Sequence, residues 1–110
     1  MNLFQLPNPL PEDELFEALT VDDSVLIERI VSAGQTTQPG TWLDQEKDEW
    51  VVLLQGNAEI SFEDGRSEVM GAGDYMLIPA HCKHRVEFTS ETPPCIWLAV
   101  HASLTGNRTQ

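Results

Sequence analysis

The hydrophobic and polar positions of this chain alternate over short stretches, which is the pattern of a β-strand with one buried and one solvated face. Residues 58–63 alternate strictly between apolar and polar side chains, and residues 84–88 do the same. Residues 50–54 are apolar throughout, which favours a strand that is covered on both faces. Gly, Pro, Asn and Asp separate these stretches, as they do in turns.

The alternation predicts eight short strands and a hairpin at Asp64-Gly65. Strands of this length and spacing favour an all-β jelly-roll β-barrel over parallel βαβ units. The predicted strands cover residues 25–31, 41–43, 50–54, 58–63, 67–70, 75–78, 84–88 and 95–101.

The N-terminal residues show a different pattern. Three prolines within residues 1–11 favour an extended arm, because proline fixes φ and lacks a backbone donor. The acidic residues that follow Pro11 are typical of a helix start. Leu15, Phe16 and Leu19 would give this short helix one apolar face.

The length of 110 residues is enough for a single domain. We expect residues 1–24 to form the arm and the short helix, packed on a barrel of residues 25–101. The small and polar residues 102–110 are then a C-terminal tail.

The charged residues of the chain indicate which classes of binding partner to exclude. The chain has 18 acidic residues against 6 Lys and Arg, a net charge of -12. This charge repels phosphate backbones and anionic lipid, so we expect neither nucleic acid nor membrane as a partner. The N-terminus resembles no signal peptide, which predicts a cytoplasmic protein with Cys82 and Cys95 reduced.

Coordinating side chains concentrate near residues 73–84, which include His81, Cys82 and His84. His84 begins an alternating strand on its inward face. Glu49 shares strand parity with apolar inward positions, and burying a carboxylate there is costly unless it meets a cation, a proton or hydrogen-bond donors. Two interpretations stay open: a metal or proton-handling site, or a core glutamate and histidine satisfied by ordinary hydrogen bonds.

The motif Gly73, Pro79, His84 resembles the second sequence motif of the cupin family, small β-barrels also described as double-stranded β-helices. His81 stands where that motif has a second glycine, and Phe88 where it has asparagine. Glu49 and Gly56 match the second half of the family's first motif, whose His-x-His pair is absent here.

The resemblance implies a divalent metal ion, because metal-binding cupins use the His-x-His pair, the glutamate and the second-motif histidine as ligands. Glu49 and His84 are the matching ligands. The positions of the missing pair hold either Leu43 and Gln45 or Trp42 and Asp44, depending on the spacing. His81 and His101 are the only other imidazoles in the sequence and complete the set. The candidate metal ligands are Glu49, His84, Asp44, His81 and His101, and the candidate pocket residues are Trp42 and Gln45.

Two functions follow from this resemblance. The first is a small cupin that binds Fe, Mn, Ni or Zn and acts on a small organic molecule. The second is a metal-free barrel that binds a small ligand without catalysis. No catalytic residue can be assigned, and whether the protein is an enzyme stays open. The apolar outer face of residues 50–54 also predicts a homodimer.

Overall fold

A computed structural model describes residues 1–105 of the chain. The five final residues of the predicted tail, 106–110, lie outside the described residues. The strands are Leu15–Ala18 (β1), Leu26–Ser32 (β2), Asp48–Gln55 (β3), Ala58–Phe62 (β4), Ser67–Met70 (β5), Tyr75–Ile78 (β6), His84–Thr89 (β7) and Cys95–Ala102 (β8).

The strands form two antiparallel sheets. The larger sheet has the order β1-β2-β8-β3-β6, and the smaller one has the order β5-β4-β7. The prediction of an all-β fold is therefore confirmed. The two sheets are not hydrogen-bonded into one closed barrel. The space between them is therefore bounded by the sheets on two sides and by loops elsewhere.

The prediction of an N-terminal helix is wrong. Leu15–Ala18 is strand β1, and it pairs antiparallel with β2 at the edge of the larger sheet. A helix of two turns is marginal on its own, whereas the sheet edge offers backbone partners to each strand residue. Phe16 consequently points to the opposite face from Leu15, and the apolar face expected of a helix does not form.

The segment predicted as a strand at residues 41–43 is reduced to a single bridge between Leu43 and His84. The Leu43 amide donates to the His84 carbonyl at 2.7 Å, and the His84 amide donates back at 3.1 Å. This bridge ties the segment before β3 to the start of β7. The number of strands is still eight, because β1 takes the place of the missing one.

The hydrophobic core lies between the two sheets. Inward-facing residues of β3, including Val51 and Leu53, meet those of β4, including Ile60 and Phe62. Leu53 is completely buried. The same parity places Glu49 on the inward face of β3, two residues before Val51, at the open end of the core.

The opposite face of the larger sheet stays more accessible. Trp50 stacks on Tyr75 with ring centroids 5.6 Å apart, and Leu77 beside them is exposed. The predicted homodimer stays a prediction. No helix forms among residues 1–105, and hence none that is long and apolar enough to cross a membrane.

Candidate functional site

A cavity of about 370 Å³ opens between the two sheets at the end of the core. The inward faces of β2, β3 and β8 form one wall, and residues of β4 and β7 form the other. Phe16 of β1 and the polar residues 35–38 border its mouth. The strand pairing thus brings together polar side chains that are far apart in the sequence.

Glu49 and His84 approach each other from opposite sheets across this cavity. Glu49 lies on β3, and His84 begins β7. Both are buried, with 7% and 3% of their surface exposed. The Nε2 atom of His84 lies 4.0 Å from Oε1 of Glu49, which is longer than a hydrogen bond.

The hydrogen bond at Nδ1 determines the tautomer of the neutral His84 ring. Nδ1 lies 2.8 Å from the backbone carbonyl oxygen of Cys82. A carbonyl oxygen can only accept, so Nδ1 carries the proton and donates it. The lone pair of the neutral ring is therefore on Nε2, on the side of Glu49.

Burial raises the pKa of Glu49 above the usual value for a carboxyl group. The nearby imidazoles of His101 and His84 oppose this rise, as does the Gln45 amide, while the charge of Glu28 adds to it. Glu49 consequently retains its proton to a higher pH than an exposed glutamate does.

A second carboxylate and imidazole pair lies beside the first. His101 Nε2 and Glu28 Oε1 are 2.9 Å apart, and both side chains are nearly buried. His101 is directly opposite Glu49 in the pairing of β8 with β3. The hydrogen bond with Glu28, assisted by the charge of Glu49, raises the pKa of His101 against the opposing effect of burial.

The structure brings four of the predicted site residues to this cavity: Glu49, His84, His101 and Gln45. Leu43 lines it as well, two residues before Gln45. The shorter of the two motif spacings therefore describes the inward positions. The Oε1 atom of Gln45 is buried and has no hydrogen-bond partner among residues 1–105.

The other three predicted residues lie outside the cavity. Asp44 and His81 pair with each other on the surface, with Oδ1 and Nδ1 2.8 Å apart. His81 has a φ of 63°, in the left-handed region that favours glycine. Trp42 lies beneath the guanidinium of Arg85, with Cζ 5.9 Å from the ring centroid.

Sequence reasoning missed two acidic residues of the cavity, Glu14 and Glu28. Glu28 has the same strand parity as Leu26 and Ile30, and an acid among these apolar positions was the available clue. Glu14 accepts a hydrogen bond from the buried Ser32 hydroxyl. The incorrect helix prediction concealed its position.

A firmly held divalent metal ion does not fit these side chains. Leu43 and Gln45 occupy the two inward positions where the His-x-His pair would lie, so one donor is absent and the other is a weak amide. His101 cannot replace them freely, because its Nε2 is engaged with Glu28. Within residues 1–105, no three or more His, Cys, Asp or Glu side chains are arranged to hold a metal.

Two of three comparisons place the chain among known proteins. Residues 29–101 match the family model of the cupin domain. A search of curated proteins found no significant match.

Among solved structures, a protein from Ralstonia eutropha JMP134 that is provisionally named a mannose-6-phosphate isomerase has 42% sequence identity and a TM-score of 0.87. The match covers 94% of this chain and 97% of that one. A cupin superfamily protein from Desulfitobacterium hafniense DCB-2 has 21% identity and a TM-score of 0.70, over 93% and 98% of the two chains.

An RmlC-like cupin family protein from Methanocaldococcus jannaschii, described as a double-stranded β-helix, has 17% identity and a TM-score of 0.68. That match covers 84% of this chain and 83% of the other. The family match and the arrangement of the two sheets agree with the motifs at Glu49 and His84, and the chain therefore belongs to the cupin family.

Proposed function

We propose that this cupin binds a small organic molecule in the cavity between its sheets, and that it does so without a resident metal ion. The supporting observation is the buried pair of Glu49 and His84, whose facing atoms are 4.0 Å apart at the cavity wall. A polar group of a ligand that lies in the cavity beside these two atoms can be within hydrogen-bond distance of both side chains.

The two side chains offer different chemistry to such a group. His84 Nε2 can only accept a hydrogen bond while the ring is neutral, because its proton is on Nδ1. Glu49 donates when it is protonated and accepts when it is ionised. The pair thus recognises the O–H or N–H donors of a hydroxyl or amino group on the ligand. The apolar walls formed by Val51, Ile60 and Val86 exclude water around the rest of the ligand.

A second candidate function is proton transfer on the bound molecule. It is favoured by the raised pKa of Glu49 beside an imidazole with a free lone pair, since such pairs serve as general acid and base. His84 would remove a proton and Glu49 would supply one to a neighbouring oxygen. The provisional name of the Ralstonia protein refers to an isomerisation, which is a reaction of this class.

Binding can be tested with chelator-treated protein and a library of small amines, alcohols and sugars, observed by ligand-detected NMR. We expect ligands that lose affinity in Glu49→Gln and in His84→Gln. Asp44→Asn is the matched control, because it changes an acid outside the cavity. Ligands that bind all three variants equally would contradict the proposal.

Proton transfer has its own test. The wild type and both cavity variants are incubated with mannose or fructose in D₂O, and NMR follows deuterium at the carbon next to the carbonyl. Exchange that disappears in both variants supports the second candidate, and exchange that persists in them contradicts it.

A further inference from the structure

We propose that the preferred ligand of this cavity is an organic cation, a primary amine or similar group on an apolar body, and not a phosphate ester or a carboxylate. The inference rests on the proposed function, and it defines the class of ligand that the same site selects. It follows from the charges that line the cavity and from the kind of polar atom left without a partner.

Three acids line the cavity: Glu14, Glu28 and Glu49. Two imidazoles, His84 and His101, accompany them, and the residues that line it include no Lys or Arg. A phosphate group is normally held by Arg, Lys or a cluster of backbone amides. The cavity is thus unsuited to a sugar phosphate, and its acids would repel one.

The basic side chains of the described part are engaged elsewhere. Arg29 pairs with Glu17 and donates to the carbonyls of Leu3 and Gln5, which fastens the N-terminal arm. Arg85 donates to backbone carbonyls of Thr37 and Thr41.

Lys47, Arg66 and Lys83 contact Asp23, Asp64 and Glu63 respectively, outside the lining of the cavity. None of these five Lys and Arg side chains within residues 1–105 is therefore placed to compensate the cavity acids, and the basic partner of Glu28 is His101.

Two acceptor atoms at the cavity lack a hydrogen-bond donor among residues 1–105, and this observation is independent of the acidic charge. His84 has only 4% of its side chain exposed, and the hydrogen bond that its ring makes within residues 1–105 is at Nδ1, which leaves the Nε2 lone pair without a donor from these residues. The buried Oε1 of Gln45 also lacks a partner in this described part of the chain. An ammonium group has three donors and no acceptor, whereas a phosphate or carboxylate has acceptors only. The free atoms therefore match the cation.

The remainder of the cavity wall sets the shape of the ligand. Val51 and Trp97 from the larger sheet face Ile60 and Val86 from the smaller one. These side chains surround an apolar body, and the polar end of the cavity receives the charged head. An acidic protein with a net charge of -12 also favours the approach of cations over anions.

The test compares probes that share one apolar body and differ in the charge of the head: phenethylamine, phenethyl alcohol and 3-phenylpropanoate. Isothermal titration calorimetry on the chelator-treated full chain at pH 7.5 gives the three affinities, and mannose 6-phosphate is measured alongside. We expect the amine to bind about tenfold more tightly than the alcohol, the effect of one charge-assisted hydrogen bond, and the two anions to bind more weakly still.

Two variants locate the effect. Glu49→Gln removes an ionisable carboxyl group from the cavity with little change of shape, and we expect the preference for the amine to fall severalfold. Glu68→Gln makes the same change of charge at an exposed position of β5 and should leave the preference intact. Circular dichroism checks that both variants fold.

The outcomes separate the two proposals. If 3-phenylpropanoate or mannose 6-phosphate binds as tightly as phenethylamine, the inference is overturned while the ligand-binding function stands. A preference for the amine that is equal in Glu49→Gln and Glu68→Gln also overturns it. If none of the four probes binds while library ligands bind at Glu49 and His84, the inference alone is overturned. If neither the probes nor the library ligands bind, the proposed function is contradicted, and the inference with it.

Discussion

His84 Nε2 lies 4.0 Å from Glu49 Oε1, across a cavity whose remaining ligand positions hold Leu43 and Gln45. Glu49 and His84 match half of the metal-ligand set that the resemblance to cupins implies, and Leu43 and Gln45 lie at the other two positions. At this separation a polar ligand atom that lies to one side of the line between the two groups can be within hydrogen-bond distance of both, but the carboxylate and the imidazole do not by themselves form a firm metal site.

Restoring the missing pair should restore metal binding. In the double variant Leu43→His, Gln45→His, two imidazoles join Glu49 and His84 at the cavity, and we expect about one divalent ion per chain by elemental analysis. The wild type should retain much less than one. The matched control is Trp42→His, Asp44→His, which places the same imidazoles on the outward positions. Stoichiometric metal in the wild type, or equal metal in the two double variants, would show that Leu43 and Gln45 do not determine the loss.

The ionisation of His101 should depend on Glu28. The hydrogen bond between them raises the pKa of His101 above 6.5, so protonation of His101 stabilises the folded state. This contribution is complete below pH 6.5 and is lost as the pH rises through the raised pKa. We expect an NMR titration of His101 to give a lower pKa in Glu28→Gln than in the wild type. An unchanged midpoint would contradict the assigned partner.

Asp48 should stabilise the fold through four hydrogen bonds. Its Oδ1 accepts from the Ala80 amide at 2.8 Å, and its Oδ2 accepts from the amides of Leu104 and Thr105 and from the Thr105 hydroxyl. The backbone donors hold the pKa of Asp48 well below its usual range. The folded state therefore gains stability above about pH 4 and loses it as the pH falls through the lowered pKa.

Asp48→Ala should consequently lower the urea midpoint at pH 7 by more than it does at pH 3. Asp44→Ala, which removes a surface acid four residues earlier, is the control and should change the midpoint less. Equal effects of Asp48→Ala at the two pH values would show that the ionisation of Asp48 does not contribute to the stability of the fold.

The burial of Leu53 predicts how much a core substitution changes the free energy of unfolding. Leu53 is completely buried between the sheets, and Leu53→Ala should lower the free energy of unfolding by about 2 to 5 kcal/mol, because it removes apolar contacts and leaves a cavity. Val69→Ala, at a side chain that is 79% exposed, should change it by less than about 0.5 kcal/mol. Urea unfolding measures both, and a loss below about 1 kcal/mol for Leu53→Ala would contradict the assigned core.

The strands could largely be predicted from the sequence, because the alternation at β4 and β7 and the apolar run of β3 have a period of two. Strand β1 could not, since four residues next to Pro11 and several acids also satisfy a helical pattern, and only the free edge of β2 decides between them. Local sequence does not reveal whether a neighbouring edge is available.

The site could be predicted in part. Glu49 and His84 follow from motif spacing and strand parity, and Gln45 follows once the shorter spacing is chosen. Glu28 depends on the pairing of β2 with β8, which places it near His101 across a long separation in the sequence. Asp44 and His81 were candidates by position alone, and they pair instead on the surface.

The central claim is that a ligand binds at Glu49 and His84 without metal. Nitrogen NMR of the imidazole rings in chelator-treated protein tests it most directly, because Nε2 of His84 gives a distinct signal while it is unprotonated. We predict that phenethylamine shifts this signal to saturation, with no added ion. A signal that ignores the amine, yet shifts stoichiometrically when one equivalent of Zn²⁺ is added, would contradict the claim.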